Sequence, residues 1–256
     1  MCFILLGLNA HPDYPFILAA NRDEFYARPA QAAEFWQENP NIFAGRDLQA
    51  GGTWLGINRT GRIAALTNFR NPGSHDPRRE SRGHIITGWL NSNESTEEYL
   101  GKLDSSTIKY NGFSLLAGDL KNIYFYSNCS NEKPILLTQG IYALSNHLLD
   151  TAWPKAIAGK QRFENIINSR NEYMVSELLE LLSDKTQAPD ENLPTTGVGI
   201  ELERSLSSIF IETPDYGTRC STVILTDQNG QVEFIERTFT GSDTNTVSHE
   251  FKASNG

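Results

Sequence analysis

Cys2 is the first residue in this chain with obvious chemical potential. It follows an initiator methionine that is normally removed ahead of so small a residue, so the mature chain is expected to begin with a cysteine whose own α-amine is free. A free thiol titrates near ~8.5 and an α-amine near ~7.7–8.0. Nucleophile and base then share one residue, as in N-terminal Thr and Cys nucleophiles. The alternative is a small apolar residue that opens a buried strand. Cys129 and Cys220 lie in strand-like runs and read as inert. The second constellation is NRDEFYARP, where Asn21, Arg22, Asp23 and Glu24 end an apolar run. Strand alternation sends Asn21 and Asp23 to one side and Arg22 and Glu24 to the other. If that strand neighbours the first, Asn21 or Asp23 reaches the terminal amine. Arg22 is then expected to point away from the thiol and pair with a carboxylate, Glu24 or one across the loop. The alternative is a polar loop whose carboxylates cap the next element and pair with Arg28.

Asn68 and Arg70 end a later strand as Asn21 and Arg22 end theirs, so the two strand ends together can line a cleft. Gly51-Gly52-Thr53-Trp54 reads as a tight turn into a strand, with glycines where positive φ or close backbone approach is needed. Arg46 and Asp47 are expected to pair at the loop before it. The five histidines form no HxH or HExxH spacing, and the three cysteines no CxxC, so no metal centre is expected.

The elements that must position these groups follow from periodicity. Residues 2–8 and 15–21 read as a hairpin of buried strands, 53–58 and 62–69 as a second hairpin, and 112–146 as four short strands. The stretch up to Gly52 reads as a long irregular loop. Residues 83–91, 96–103, 153–168 and 171–183 read as helices, 184–199 as loop, and 207–239 as three closing strands. Residues 1–240 form one expected domain, and the polar stretch 241–256 is expected to be a disordered tail. Strand hairpins interrupted by helices make an α+β fold, and two antiparallel sheets with outer helix layers fit it.

The chain has 256 residues, 39% apolar, with a net charge of −9, enough for a large core. No Lys/Arg-rich run suggests nucleic acid, and the acidic balance disfavours anionic membranes. No apolar stretch reaches the ~18 residues of a span. The N-terminus lacks the charged flank and cleavage site of a secretory signal. Few, scattered cysteines suit a reducing compartment, so a cytoplasmic, soluble protein without stable membrane insertion is expected.

The blocks MCFILL, LAANRDEFYARP, AGRDLQAGGTWLGINRTGRIAALTNFR, SRGHII, IYALSNHLLDTAWPKA and YGTRCSTVILTD together resemble the NRDE family, nearly to residue 240. That resemblance implies a four-layer αββα N-terminal-nucleophile (Ntn) hydrolase-like sandwich, similar to choloylglycine hydrolases and penicillin V acylases. By the same resemblance Cys2 is the nucleophile, Asp23 the aspartate behind it, Asn146 the oxyanion donor and Arg219 a late arginine. The pattern's arginine three residues before Asp23 is here Ala20. The family is also implicated in haem trafficking, which implies a haem carrier that delivers to haem-accepting proteins. Arg22, Arg70 and Arg219 would anchor propionates, and Asn21, Glu24, Asn68, His84 and His147 are further candidate ligand-binding residues. The other reading is a Cys2-dependent amidohydrolase acting on a linear amide or acyl substrate.

Overall fold

The computed structural model describes residues 2–169, 172–241 and 243–254. Among them are thirteen strands and five α-helices: β1 (Cys2–Leu8), β2 (Phe16–Phe25), β3 (Ala30–Phe35), β4 (Ile42–Asp47), β5 (Leu55–Asn58), β6 (Arg62–Asn68), α1 (Gly83–Asn91), α2 (Thr96–Ser105), β7 (Phe113–Asp119), β8 (Ile123–Ser127), β9 (Ile135–Leu136), β10 (Gly140–Leu144), α3 (Pro154–Ser169), α4 (Met174–Leu182), α5 (Ile200–Ser205), β11 (Tyr216–Thr226), β12 (Gln231–Thr240) and β13 (Asp243–Lys252). One sheet runs β10-β1-β2-β11-β12-β13 and the other β3-β4-β5-β6-β7-β8-β9.

Three apolar clusters define the layers. Ile4, Leu6, Leu18 and Phe234 of the first sheet meet Phe43, Ile57, Ile63 and Leu116 of the second. The opposite face of the first sheet, with Phe3, Leu5, Ile17 and Val223, packs on Phe163 and Ile167 of α3 and Leu178 and Leu182 of α4. The outer face of the second sheet, with Ala64, Leu66 and Leu115, packs on Ile85 and Trp89 of α1 and Leu100 of α2. The order is helix, sheet, sheet, helix. β1 and β2 are covered on both faces, which is why their sequences are apolar runs rather than alternating patterns.

Several expectations need correction. Strand β2 continues to Phe25, so Asn21, Arg22, Asp23 and Glu24 lie in the strand and not in a loop beyond it. The stretch before Gly52 contains β3 and β4. Residues 207–213 form no extended strand. They carry one isolated bridge, Glu212 to Gly217, and α5 precedes them. The expected disordered tail contains β13, paired with β12 along its length from Thr240/Asp243 to Gln231/Lys252. Phe251 is buried against Phe35 and Phe43, an anchor that a polar composition conceals.

Candidate active site

Cys2, at the head of β1, is 6% exposed and lines a cleft of about 400 Å³. The ladder places it directly opposite Arg22 of β2, and Arg22 opposite Cys220 of β11. Opposite residues in an antiparallel pair present side chains to one face. Arg22 therefore shares the thiol's face, contrary to the expectation that it points away. Asp23 and Asn21 do lie on the other face, as alternation requires. Arg22 also has a carboxylate partner: its Nη2 is 3.9 Å from Asp47 Oδ2.

Asp47 organises this wall. Arg28 donates to its Oδ2 at 2.8 Å from Nε, and the backbone N–H of Gln49 donates to Oδ1 at 3.0 Å. The expected Arg46–Asp47 pair does not form. Arg46 pairs with Glu38 and sits over Trp36, 4.7 Å from the ring centroid. The turn that follows is locked to α1. A Cβ on Gly52 would lie 2.7 Å from the Gly83 carbonyl carbon, so only glycine allows the approach that brings Thr53 and Arg82 into the same cleft.

Asp23 is buried at 1% exposure. Thr218 Oγ1 donates to its Oδ1 at 2.8 Å, and Tyr216 donates from its phenol to the Asp23 carbonyl at 2.9 Å. Burial pushes the Asp23 carboxyl up, and the positive charge of Lys155 is the main force pulling it back. Lys155 was missed at the sequence level. It is 4% exposed, and burial pushes it down to about 8. A signal was present: Lys155 is the second residue of α3, where the helix dipole disfavours a cation. The Cys2 thiol is pushed up to about 11, chiefly by burial and also by the Asp23 carboxylate, while the N-terminal ammonium, then Arg22 and a hydrogen bond from the Asp23 backbone, pull it down. Such a thiol is almost wholly protonated at neutral pH and needs an adjacent base to react.

The β1/β10 register, with Ile4 opposite Leu144, carried two residues further brings Asn146 to the end of β1 that holds Cys2. Asn146 is fully buried, with φ of 56°, a left-handed conformation that Asn tolerates better than most. Its Nδ2 donates to the Asn68 carbonyl at 3.0 Å. That carbonyl only accepts, so the amide nitrogen must face it. One Nδ2 hydrogen remains for another acceptor.

The other candidates separate clearly. Glu24 and Asn68 line the cleft with Cys2, Arg22 and Asp23. Asn21 does not: its Nδ2 donates to the carbonyls of Leu182 (2.7 Å) and Ile209 (2.9 Å), and Ser221 donates to its Oδ1 at 2.6 Å. It bolts β2 to the helix layer. Arg219 sits at the bulge of β11 and is turned away from the cleft. Its Nη1 donates to the carbonyls of Phe25, Tyr26 and Arg28. Arg70 is held by Glu203 at 2.8 Å, both side chains 4% exposed, and lies 4.6 Å from the Trp153 ring centroid. His84 bonds the Ala50 carbonyl at 2.9 Å. His147 bonds Thr151 at 2.9 Å and lies against Phe69. None of Arg70, His84 and His147 lines the cleft, and each has a structural neighbour that occupies it. Arg79 and Arg82, not anticipated, do line it. Arg79 donates to the Tyr110 carbonyl and Arg82 to that of Gly112. Among the described residues, no group of three or more His, Cys, Asp or Glu is arranged to hold a metal ion.

The chain is thus a four-layer helix–sheet–sheet–helix sandwich whose first strand delivers Cys2 to a cleft at the strand ends. The Transport and Golgi organisation 2 model matches residues 1–241, and the chain belongs to that family. It is 41% identical to the Bos taurus Transport and Golgi organization protein 2 homolog, over 98% of this chain and 99% of that one. The Drosophila melanogaster Transport and Golgi organization protein 2 is 31% identical over 95% of this chain and 94% of its own. Among solved structures, the C2A mutant of conjugated bile acid hydrolase from Clostridium perfringens aligns with a TM-score of 0.49 at 9% identity, covering 100% of this chain and 98% of that one. No helix among the described residues is long and apolar enough to cross a membrane.

Proposed function

We propose that this chain, once Met1 is removed, is a Cys2-dependent hydrolase of a linear amide or acyl bond. The removal itself lies outside the described residues. The observation that carries the reading is the placement of Cys2 in a cleft beside Arg22, with buried Asp23 behind it. In this reading the α-amine of Cys2 takes the proton from Sγ, and the thiolate attacks the substrate's carbonyl carbon. Asn146, buried at the same end of β1 and not among the residues that line the cleft, is the candidate oxyanion donor through its second Nδ2 hydrogen. The ammonium returns its proton to the leaving amine, and water then hydrolyses the acyl-thioester. The cleft's Arg79 and Arg82 have no ion-pair partner among the described residues, which favours a substrate carrying a carboxylate. The test is hydrolysis of a panel of N-acyl amino acids, followed by amine release. Turnover that disappears in Cys2→Ala supports the reading; turnover retained in Cys2→Ala refutes it.

A second reading, haem carriage, draws support from the arginines around the cleft and from Cys2 and His75 as donors of types that ligate haem iron. Against it, Trp54, Leu66 and Pro77 are the main apolar surfaces in a wall of charged groups. A hemin titration of wild type and Cys2→Ala separates the two: a saturable Soret shift without amide hydrolysis favours the carrier.

A further inference from the structure

A lysine ammonium has three donors and is costly to bury without partners. The Lys155 ammonium is 3.4 Å from the Ser208 carbonyl and 5.9 Å from the Phe3 ring centroid, a thin set of contacts for a buried cation. What compensates it lies on the sheet below. Phe3 is opposite Asn21, and Asp23 shares that face, so α3 lowers Lys155 onto the end of β2 where Asp23 sits. Lys155 lies within electrostatic reach of Asp23, Arg70 and Cys2, and Asp23 within reach of Arg70. Among the described residues, the other charged or titratable groups facing this cluster are Arg22 and Glu24 from β2, Tyr216 and Cys220 from β11, Arg82 ahead of α1, His147 beside Arg70, and Glu203 of α5, which holds Arg70.

We propose that Lys155 is a positioning residue that shares Asp23 with the α-amine of Cys2, so that the carboxylate holds the amine in place without keeping it protonated. The inference rests on reading Cys2 as an N-terminal nucleophile. A carboxylate alone beside an amine favours the ammonium, which cannot act as a base; a second cation on the same carboxylate offsets that preference. During attack the amine gains the thiol's proton and Asp23 stabilises the resulting charge. Lys155 neither gains nor loses a proton in the step.

The test is the pH dependence of Cys2 alkylation by iodoacetamide in the full-length protein, mapped by peptide mass spectrometry, with exposed Cys129 as internal reference. Lys155→Met is expected to move the acid-side midpoint up by about one pH unit, a roughly tenfold loss of rate at neutral pH, and Lys155→Arg to restore it. If Lys155→Met does not fold, Lys155→Gln, which keeps a donor for the Ser208 carbonyl, takes its place. An unmoved midpoint, or slowing by the same factor at every pH, overturns the role of Lys155 while leaving Cys2 reactive. A wild-type Cys2 that never reacts faster than Cys129 overturns the nucleophile reading and this inference with it.

Discussion

Removing the Arg22 guanidinium takes a cation from the face of the sheet that carries Cys2. Arg22→Ala is expected to raise the thiol's pKa and slow its alkylation at neutral pH by about three- to tenfold, read by timed iodoacetamide labelling. An unchanged rate would show that the register contact carries no electrostatic weight. Asn21 offers the opposite case, a polar residue beside the site with a structural task. Asn21→Leu leaves the Leu182 and Ile209 carbonyls and the Ser221 hydroxyl without their partner. It is expected to lower unfolding stability by about 2–4 kcal/mol in urea titrations. In sequence these neighbours look alike. Alternation placed them correctly on opposite faces, but only the pairing of Cys2 with Arg22 says which face belongs to the thiol. Lys155 was hidden for a related reason: its partner Asp23 is far away in sequence, and nothing local to TAWPKA names it.

At the scale of elements, β13 covers what would otherwise be the open edge of β12. Its Phe251, 7% exposed, closes the inter-sheet core beside Phe43 and Phe35. Phe251→Ala is expected to destabilise the fold by about 3 kcal/mol, and truncation after Gly241 to expose a strand edge prone to association. Differential scanning calorimetry and light scattering check the two effects; a truncated chain that melts like wild type would show that β13 adds nothing. The buried strands and most helices were legible because their periodicity is local. β4, an interior strand, was not, because its apolar run is only Ile42–Ala44, and β3 and β13 were not, because polar edge strands take their order from neighbours rather than from their own apolar pattern. α5 escaped for the same reason. Its place is fixed by Glu203, which binds Arg70 and accepts from Thr196 N at 2.8 Å. Glu203→Ala, which strands the Arg70 charge, is expected to cost about 3–5 kcal/mol in the same urea assay.

For the whole molecule, the αββα layering was legible because two helix pairs and strand hairpins alternate along the chain, and because the NRDE blocks recur in order. What the layers enclose was less legible, since burial sets the charges. Lys155 has its ordinary value of 10.5 lowered to about 8 in the folded chain. Below about 8 it is protonated whether folded or unfolded, and the full cost of burying its charge is present. Between about 8 and 10.5 the unfolded chain binds more protons, so this group's contribution to stability rises with pH, by on the order of 3 kcal/mol at most. Cys and Tyr groups titrate in the same window, so the diagnostic quantity is the difference between wild type and Lys155→Met. That difference is expected to change between pH 8 and 10.5 and to be level below it; a level difference throughout would mean Lys155 is not buried as a cation. The central claim concerns Cys2 itself, and one mass measurement reaches it most directly. The purified protein is treated briefly at neutral pH with a β-lactone acylating probe, and intact and peptide masses are recorded. The account predicts a chain beginning at Cys2 and a single acyl adduct on that residue, formed ahead of any on exposed Cys129. Retention of Met1 in most molecules, or acylation of Cys129 with Cys2 untouched, would contradict it.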